Sequence, residues 1–172
     1  MAEASGDRPW GRIAMVCCVA IVALGSASGW LANSGYGNGW FDALRKPSFM
    51  PPGWAFGVVW PVLYVLLGLS LAMVIVAPPS TRRTAALTLF FLQLALNFAW
   101  SPVFFAAHDI KLAQFVIIAM ILVTLAAAAL FWRIRTAAAL LLIPYVAWLV
   151  FAAALNSAIA ELNRGAGVSL LG

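Results

Sequence analysis

Apolar residues come in five long blocks, roughly 13–32, 54–77, 85–106, 112–132 and 137–160, and every Asp, Glu, Lys and Arg falls outside them. Each block is about 20 residues or longer, enough as an α-helix to cross a hydrocarbon layer of ~30 Å. A charge at the centre of a spanning helix costs ~3 kcal/mol on insertion scales, so charge-free blocks are what such helices require. The blocks do not alternate in segments of ~10 residues, which argues against a membrane β-barrel. The pattern predicts an all-α integral membrane protein, a single bundle of five transmembrane helices over 13–163. Polar tails are expected over 1–12 and 164–172. Arg8 and Arg12 precede the first block as in a signal peptide, but the block is long for that role and is read as a retained helix.

Within the blocks, helical spacing sorts residues into faces. In the second, Gly53, Gly57, Trp60, Pro61, Tyr64 and Gly68 share one stripe, a notch with an aromatic wall. Pro61 conflicts with the carbonyl four residues back, at Gly57, which predicts a kink there. In the third, Gln93, Asn97, Trp100, Ser101 and Phe104 form a stripe whose amides need partners inside the bundle. The opposite stripe, Thr88, Ala95, Ala99 and Ala106, offers a small-residue surface for a homodimer. The fifth block carries Pro144, Trp148, Ala152, Leu155 and Ile159 on one face, with Tyr145 and Asn156 at its edge. The fourth reads as scaffold. Gly25 and Gly29 in the first permit close backbone approach, chiefly within the bundle.

Between the first two blocks, Pro47, Pro51 and Pro52 stiffen the approach to the second helix. Residues 33–38 are glycine- and asparagine-rich turn material. Placed together, the stripes predict one cavity under this loop, lined by Trp60, Tyr64, Asn97, Trp100, Tyr145 and Trp148, with Ala152 making room. Indoles around a gap suit a large, flat, apolar ligand with a few polar edges. Trp10, Trp30, Trp40 and Trp132, near block ends, are read as interfacial anchors.

Composition sharpens this reading. The chain is 65% apolar and 9% charged, with mean hydropathy +1.03. Its net charge of +5 is spread over the connections, as for membrane anchors, and does not indicate nucleic-acid binding. Basic residues weakly favour an inside amino terminus. Cys17 and Cys18 lack metal-ligand spacing and are read as buried apolar residues; no metal site is expected. His108, the lone histidine, is read as a solvated loop residue rather than a haem ligand. No acid–base pair, activated nucleophile or intramembrane ionisable group is present in the blocks, which disfavours ordinary catalysis and ion-coupled transport.

The segment WFDALRKPSFMPPGWAFGVVWPVLY resembles the signature of the TspO/MBR family, the tryptophan-rich sensory proteins and peripheral-type benzodiazepine receptors. QLALNFAWSPVFF and IPYVAWLVFAAALNSAIAELN resemble that family's third and fifth helices, so the resemblance covers about residues 13–163. It implies five transmembrane helices, a homodimer, and a pocket capped by the first loop. It also implies a receptor or sensor for a porphyrin, protoporphyrin IX or haem, held as ligand rather than required cofactor. Synthetic benzodiazepine-site ligands are implied as further ligands. Ligand contact is implied at Phe41, Pro51, Trp60, Asn97, Trp100, Trp148 and Ala152. Phe41 stands where many members have Tyr. Trp60 and Trp148 match tryptophans implicated in light-dependent porphyrin breakdown, an alternative activity; passage of a lipophilic ligand is a second alternative. The family's cholesterol-recognition pattern is not met, since Ser157 and Glu161 replace its tyrosine and basic residue. A bacterial cell-envelope membrane is the expected location.

Overall fold

The computed structural model describes residues 10–164. Of the tails expected over 1–12 and 164–172, residues 1–9 and 165–172, with Arg8, lie outside the described residues. Seven α-helices and one π-helical segment follow in order: α1 Trp10–Leu31, α2 Gly39–Ala43, α3 Gly53–Ile75, α4 Thr81–Ser101 continued by π-helix Pro102–Ala106, α5 Ile110–Trp132, α6 Thr136–Leu140 and α7 Ile143–Leu162. No strand occurs among the described residues. Five spans are long and apolar enough to cross a membrane: α1, α3, Thr81–Ala106, α5 and Thr136–Leu162.

The spans form a ring in the order α1, α3, α7, α5, α4. Its tightest seams are α1 against α3 and α4 against α5, whereas α3 and α7 barely touch. Small residues explain the first seam. A Cβ on Gly68 would lie 2.6 Å from the Cys18 Cα, and one on Gly25 would collide with the Tyr64 ring. Hydrogen bonds tie other elements. The Ser70 hydroxyl donates to the Ala138 carbonyl at 2.8 Å, joining α3 to α6. The Ser28 hydroxyl donates to the Phe98 carbonyl at 2.5 Å, joining α1 to α4. Phe98 lies four residues before Pro102, whose missing N–H leaves that carbonyl without its helical donor. The same proline opens the π-helical segment, where Ala107 N–H reaches back to the Pro102 carbonyl at 2.9 Å.

Prolines shape the other spans in different ways. α3 runs through Pro61 as one helix. The fifth span, expected as one continuous helix, breaks instead at residues 141–142, and Pro144 sits in the first turn of α7. A proline at 144 conflicts with the carbonyl of Leu140, the last residue of α6, so the chain restarts there. The first loop is not wholly extended either, because Asn38 caps α2 by accepting from the Phe41 N–H at 3.0 Å. The preceding turn needs left-handed backbone at Asn33 (φ 49°), Gly35 (φ 101°) and Gly37 (φ 94°). Thr88, Ala95, Ala99 and Ala106 are exposed on the outer side of the third span, opposite the buried Gln93 and Asn97.

The α1–α3 seam gives a direct test. Gly68→Leu is expected to destabilise the protein in detergent by about 1–3 kcal/mol through overpacking. Gly57→Ala, whose added Cβ would meet nothing within 4 Å, should be neutral or gain up to about 1 kcal/mol of helix propensity. Equal losses for both would contradict this packing.

Candidate functional site

α3 and α7 barely touch, and a cavity of about 610 Å³ opens between the helices, bordered by Phe41 of α2. Its volume lies in the range of small-molecule sites, ~300–1,000 Å³. Phe41, Trp60, Tyr64, Asn97, Trp100, Trp148 and Ala152 all line it. Two expected residues do not. Tyr145 is fully buried one layer behind the wall. Pro51 lies in the loop with its carbonyl accepting from the Tyr36 hydroxyl at 3.2 Å, and the wall beneath is made by Met50 and Phe41.

The deep wall is organised by Asn97. The Tyr64 hydroxyl donates to Asn97 Oδ1 at 3.2 Å, and Asn97 Nδ2 donates to the Tyr145 hydroxyl at 2.9 Å. The Tyr145 hydroxyl in turn donates to Met120 Sδ at 3.0 Å. One chain of bonds thus joins α3, α4, α7 and α5, with every residue in it buried. In hydrocarbon such groups have no water to fall back on, so the amide and hydroxyls hold one another in place.

Aromatic rings build the sides. Trp60 meets Trp148 edge to face at 6.3 Å, and Trp148 meets Phe56 at 5.8 Å and Phe151 at 5.4 Å. Across the cavity Trp100 stacks on Phe104 at 5.1 Å, with an 18° angle between planes. The indole N–H groups of Trp100 and Trp148 are buried without a protein partner, as is the Asn156 carbonyl oxygen. Asn156 spends its amide N–H groups on the Ile110 carbonyl (3.0 Å) and Gln114 Oε1 (2.7 Å). The wall therefore presents flat apolar faces, and these three polar atoms lie enclosed within it. A group of three or more His, Cys, Asp or Glu able to hold a metal is absent among the described residues.

The loop over this cavity is tied to the bundle by Asn38 and Asn163 and braced internally by Lys46. Asn38 Nδ2 donates to the Asn33 carbonyl at 3.0 Å and the Phe105 carbonyl at 3.4 Å. Lys46 Nζ donates to the Phe41 carbonyl at 2.7 Å and lies 4.6 Å from the centre of the Phe41 ring. Asn163, just beyond α7, accepts from the Arg45 N–H and donates to the Arg45 carbonyl, both at 3.0 Å. Trp40, expected as an interfacial anchor, belongs to this lid. It is half-buried, stacked on His108 at 4.4 Å and edge-on to Phe104 at 5.4 Å.

Several contributors were not singled out by spacing. Phe56 and Phe151 sit beside the indole stripes, and Met120 lies on a helix read as scaffold; a single apolar ring or thioether among many carries no signal of its own. Asn38 and Asn163 were legible only as polar residues at the edges of apolar blocks.

Residues 15–162 match the TspO/MBR family. The chain is 38% identical over 136 residues to the translocator protein of Homo sapiens, covering 76% of this chain and 79% of that one. It is 36% identical over 127 residues to protein CrtK of Rhodobacter capsulatus, covering 73% and 79%. It is 34% identical over 145 residues to the tryptophan-rich protein TspO of Archaeoglobus fulgidus, covering 84% and 93%.

The Asn163 clasp predicts a local effect. Asn163→Ala removes two hydrogen bonds to the lid, about 1.5 kcal/mol of local stability, so trypsin should cut after Arg45 roughly tenfold faster in the folded protein. An unchanged cleavage rate would show that the clasp does not hold the lid.

Proposed function

The chain belongs to the TspO/MBR family, a family of multi-pass membrane proteins with a sensor or receptor role, and on that premise we propose that it binds a porphyrin in the cavity under the lid. The carrying observation is a cavity of about 610 Å³ walled by indole and phenyl rings, with Asn97 in its deep wall. A tetrapyrrole has large apolar faces that such rings cover. The missing Tyr hydroxyl at Phe41 leaves that side of the site apolar: Phe41 packs edge-on to Phe105 at 5.2 Å and Phe104 at 6.2 Å. Flat synthetic ligands of the benzodiazepine-site type would compete for the same space.

A second reading rests on the Trp60–Trp148 contact. Two oxidisable indoles 6.3 Å apart at the wall are placed to react with an illuminated porphyrin between helices. Binding alone and light-driven breakdown separate in one experiment. Protoporphyrin IX is titrated into the purified protein in darkness, then followed by absorption under light. Trp100→Phe and Trp148→Phe each remove part of an aromatic wall and should weaken dark binding by about 1 kcal/mol, roughly fivefold. Unchanged affinity in both variants, or no saturable binding, would overturn the proposed site. Loss of porphyrin in light that disappears in Trp60→Phe and Trp148→Phe would favour the second reading.

The same proposal includes a homodimer through Ala95 and Ala99, whose exposed small side chains allow close helix approach. Ala99→Trp should shift the protein toward monomer in light scattering at fixed detergent; an unchanged mass would place any self-association elsewhere.

A further inference from the structure

The seam between α1 and α3 is closed for only part of its length. Gly68 against Cys18 and Gly25 against Tyr64 bring the backbones together over its lower part. Toward the lid the contact is lost. A Cβ on Gly57 would meet nothing within 4 Å, and one on Gly29 would find only the Ser34 side chain, at 3.9 Å. Ser26, Gly29 and Trp30 on α1, with Gly53, Gly57 and Pro61 on α3, border the cavity on this side. All but the half-buried Gly29 are also exposed, Trp30 by 81%, so little of the protein covers the cavity on this side. Pro61 is eight residues into α3, about 12 Å below its start, so the gap reaches well into the hydrocarbon layer.

The axial route is closed by contrast. Phe41 of α2 is buried, and Asn38 and Asn163 hold the lid to its surroundings while Lys46 braces it from within. We propose that the upper α1–α3 seam is a side entrance through which a flat, lipophilic ligand moves between the bilayer and the cavity; the porphyrin form of this statement rests on the reading above. The uncovered stretch runs along the helix from Gly53 to Pro61, about 12 Å, which suits a planar ring system sliding edge-on. It runs up to Gly53 and Trp30 at the lid end, so the carboxylates of a tetrapyrrole stay at headgroup level while the ring crosses.

The test places a plug in the gap. Gly57→Leu puts a side chain where the structure has open space, on a residue type that favours helix. Protoporphyrin IX is pre-dissolved in the bilayer of nanodiscs, and its association and dissociation are followed by tryptophan quenching. Both rates should fall about tenfold in Gly57→Leu. Unchanged rates, or faster exchange only when the lid is loosened by Asn163→Ala, would assign the route to the loop and overturn the proposal. A second measurement needs no porphyrin. In a Cys17→Ala, Cys18→Ala background, cavity-facing Ala152→Cys is reacted with a hydrophobic maleimide dissolved in the bilayer. Adding Gly57→Leu should slow that reaction about tenfold; no slowing sinks the side entrance whether or not porphyrin binds.

Discussion

A buried asparagine shared by two tyrosines is the point on which the architecture turns. Asn97 has one carbonyl and one amide group in a medium with no water, and each must find a partner inside the bundle. Tyr64 supplies a donor from α3 and Tyr145 an acceptor from α7, with Met120 of α5 behind them. This fixes how far α3 and α7 stand apart at one level. Below it, α3 closes on α6 through Ser70 and on α1 through Gly68. Above it, bulky rings at Trp60, Trp148, Phe56 and Phe151 keep α3 and α7 from meeting. The cavity is the space between a polar hub that holds and aromatic side chains that separate.

Packing follows the same division. Glycine lies where backbones must touch, against Cys18 and Tyr64. Glycine also lies where nothing touches, at Gly57, and there it keeps the wall thin. In a membrane the helices gain little from burying apolar surface against one another rather than lipid, so close packing and internal hydrogen bonds decide which seams close. The upper α1–α3 seam has neither. The lid has both, since Lys46 caps α2 over an aromatic ring and Asn163 clasps the backbone of Arg45.

The five spans were legible because charge is excluded from hydrocarbon, and no other feature of the sequence is as unambiguous. The cavity was legible through stripes: an amide, indoles and small residues at helical spacing on three separate blocks point one way. A stripe, however, is about a third of a helix wide and says nothing of depth. Tyr145 and Trp148 lie close in sequence and near one face, yet Tyr145 sits behind the wall and Trp148 in it, because α5 packs against α7 on the Tyr145 side. The break before Pro144 and the π-helical segment after Pro102 follow from the proline clash with the carbonyl four residues back. Pro61 obeys the same rule and lies in a continuous helix, so the residue alone does not choose between kink, break and widened turn. Asn163 acts across 118 positions of sequence on Arg45, a pairing no local pattern announces.

The most direct measurement is an experimental structure of the protein in a lipid bilayer with protoporphyrin IX added. The account predicts the macrocycle between Trp60, Trp148 and Trp100, above an intact Tyr64–Asn97–Tyr145 chain, with its carboxylate end toward Trp30 and the lid. A bundle in which those rings fill the centre themselves, with the porphyrin lying on the lipid-facing surface or absent, would contradict it.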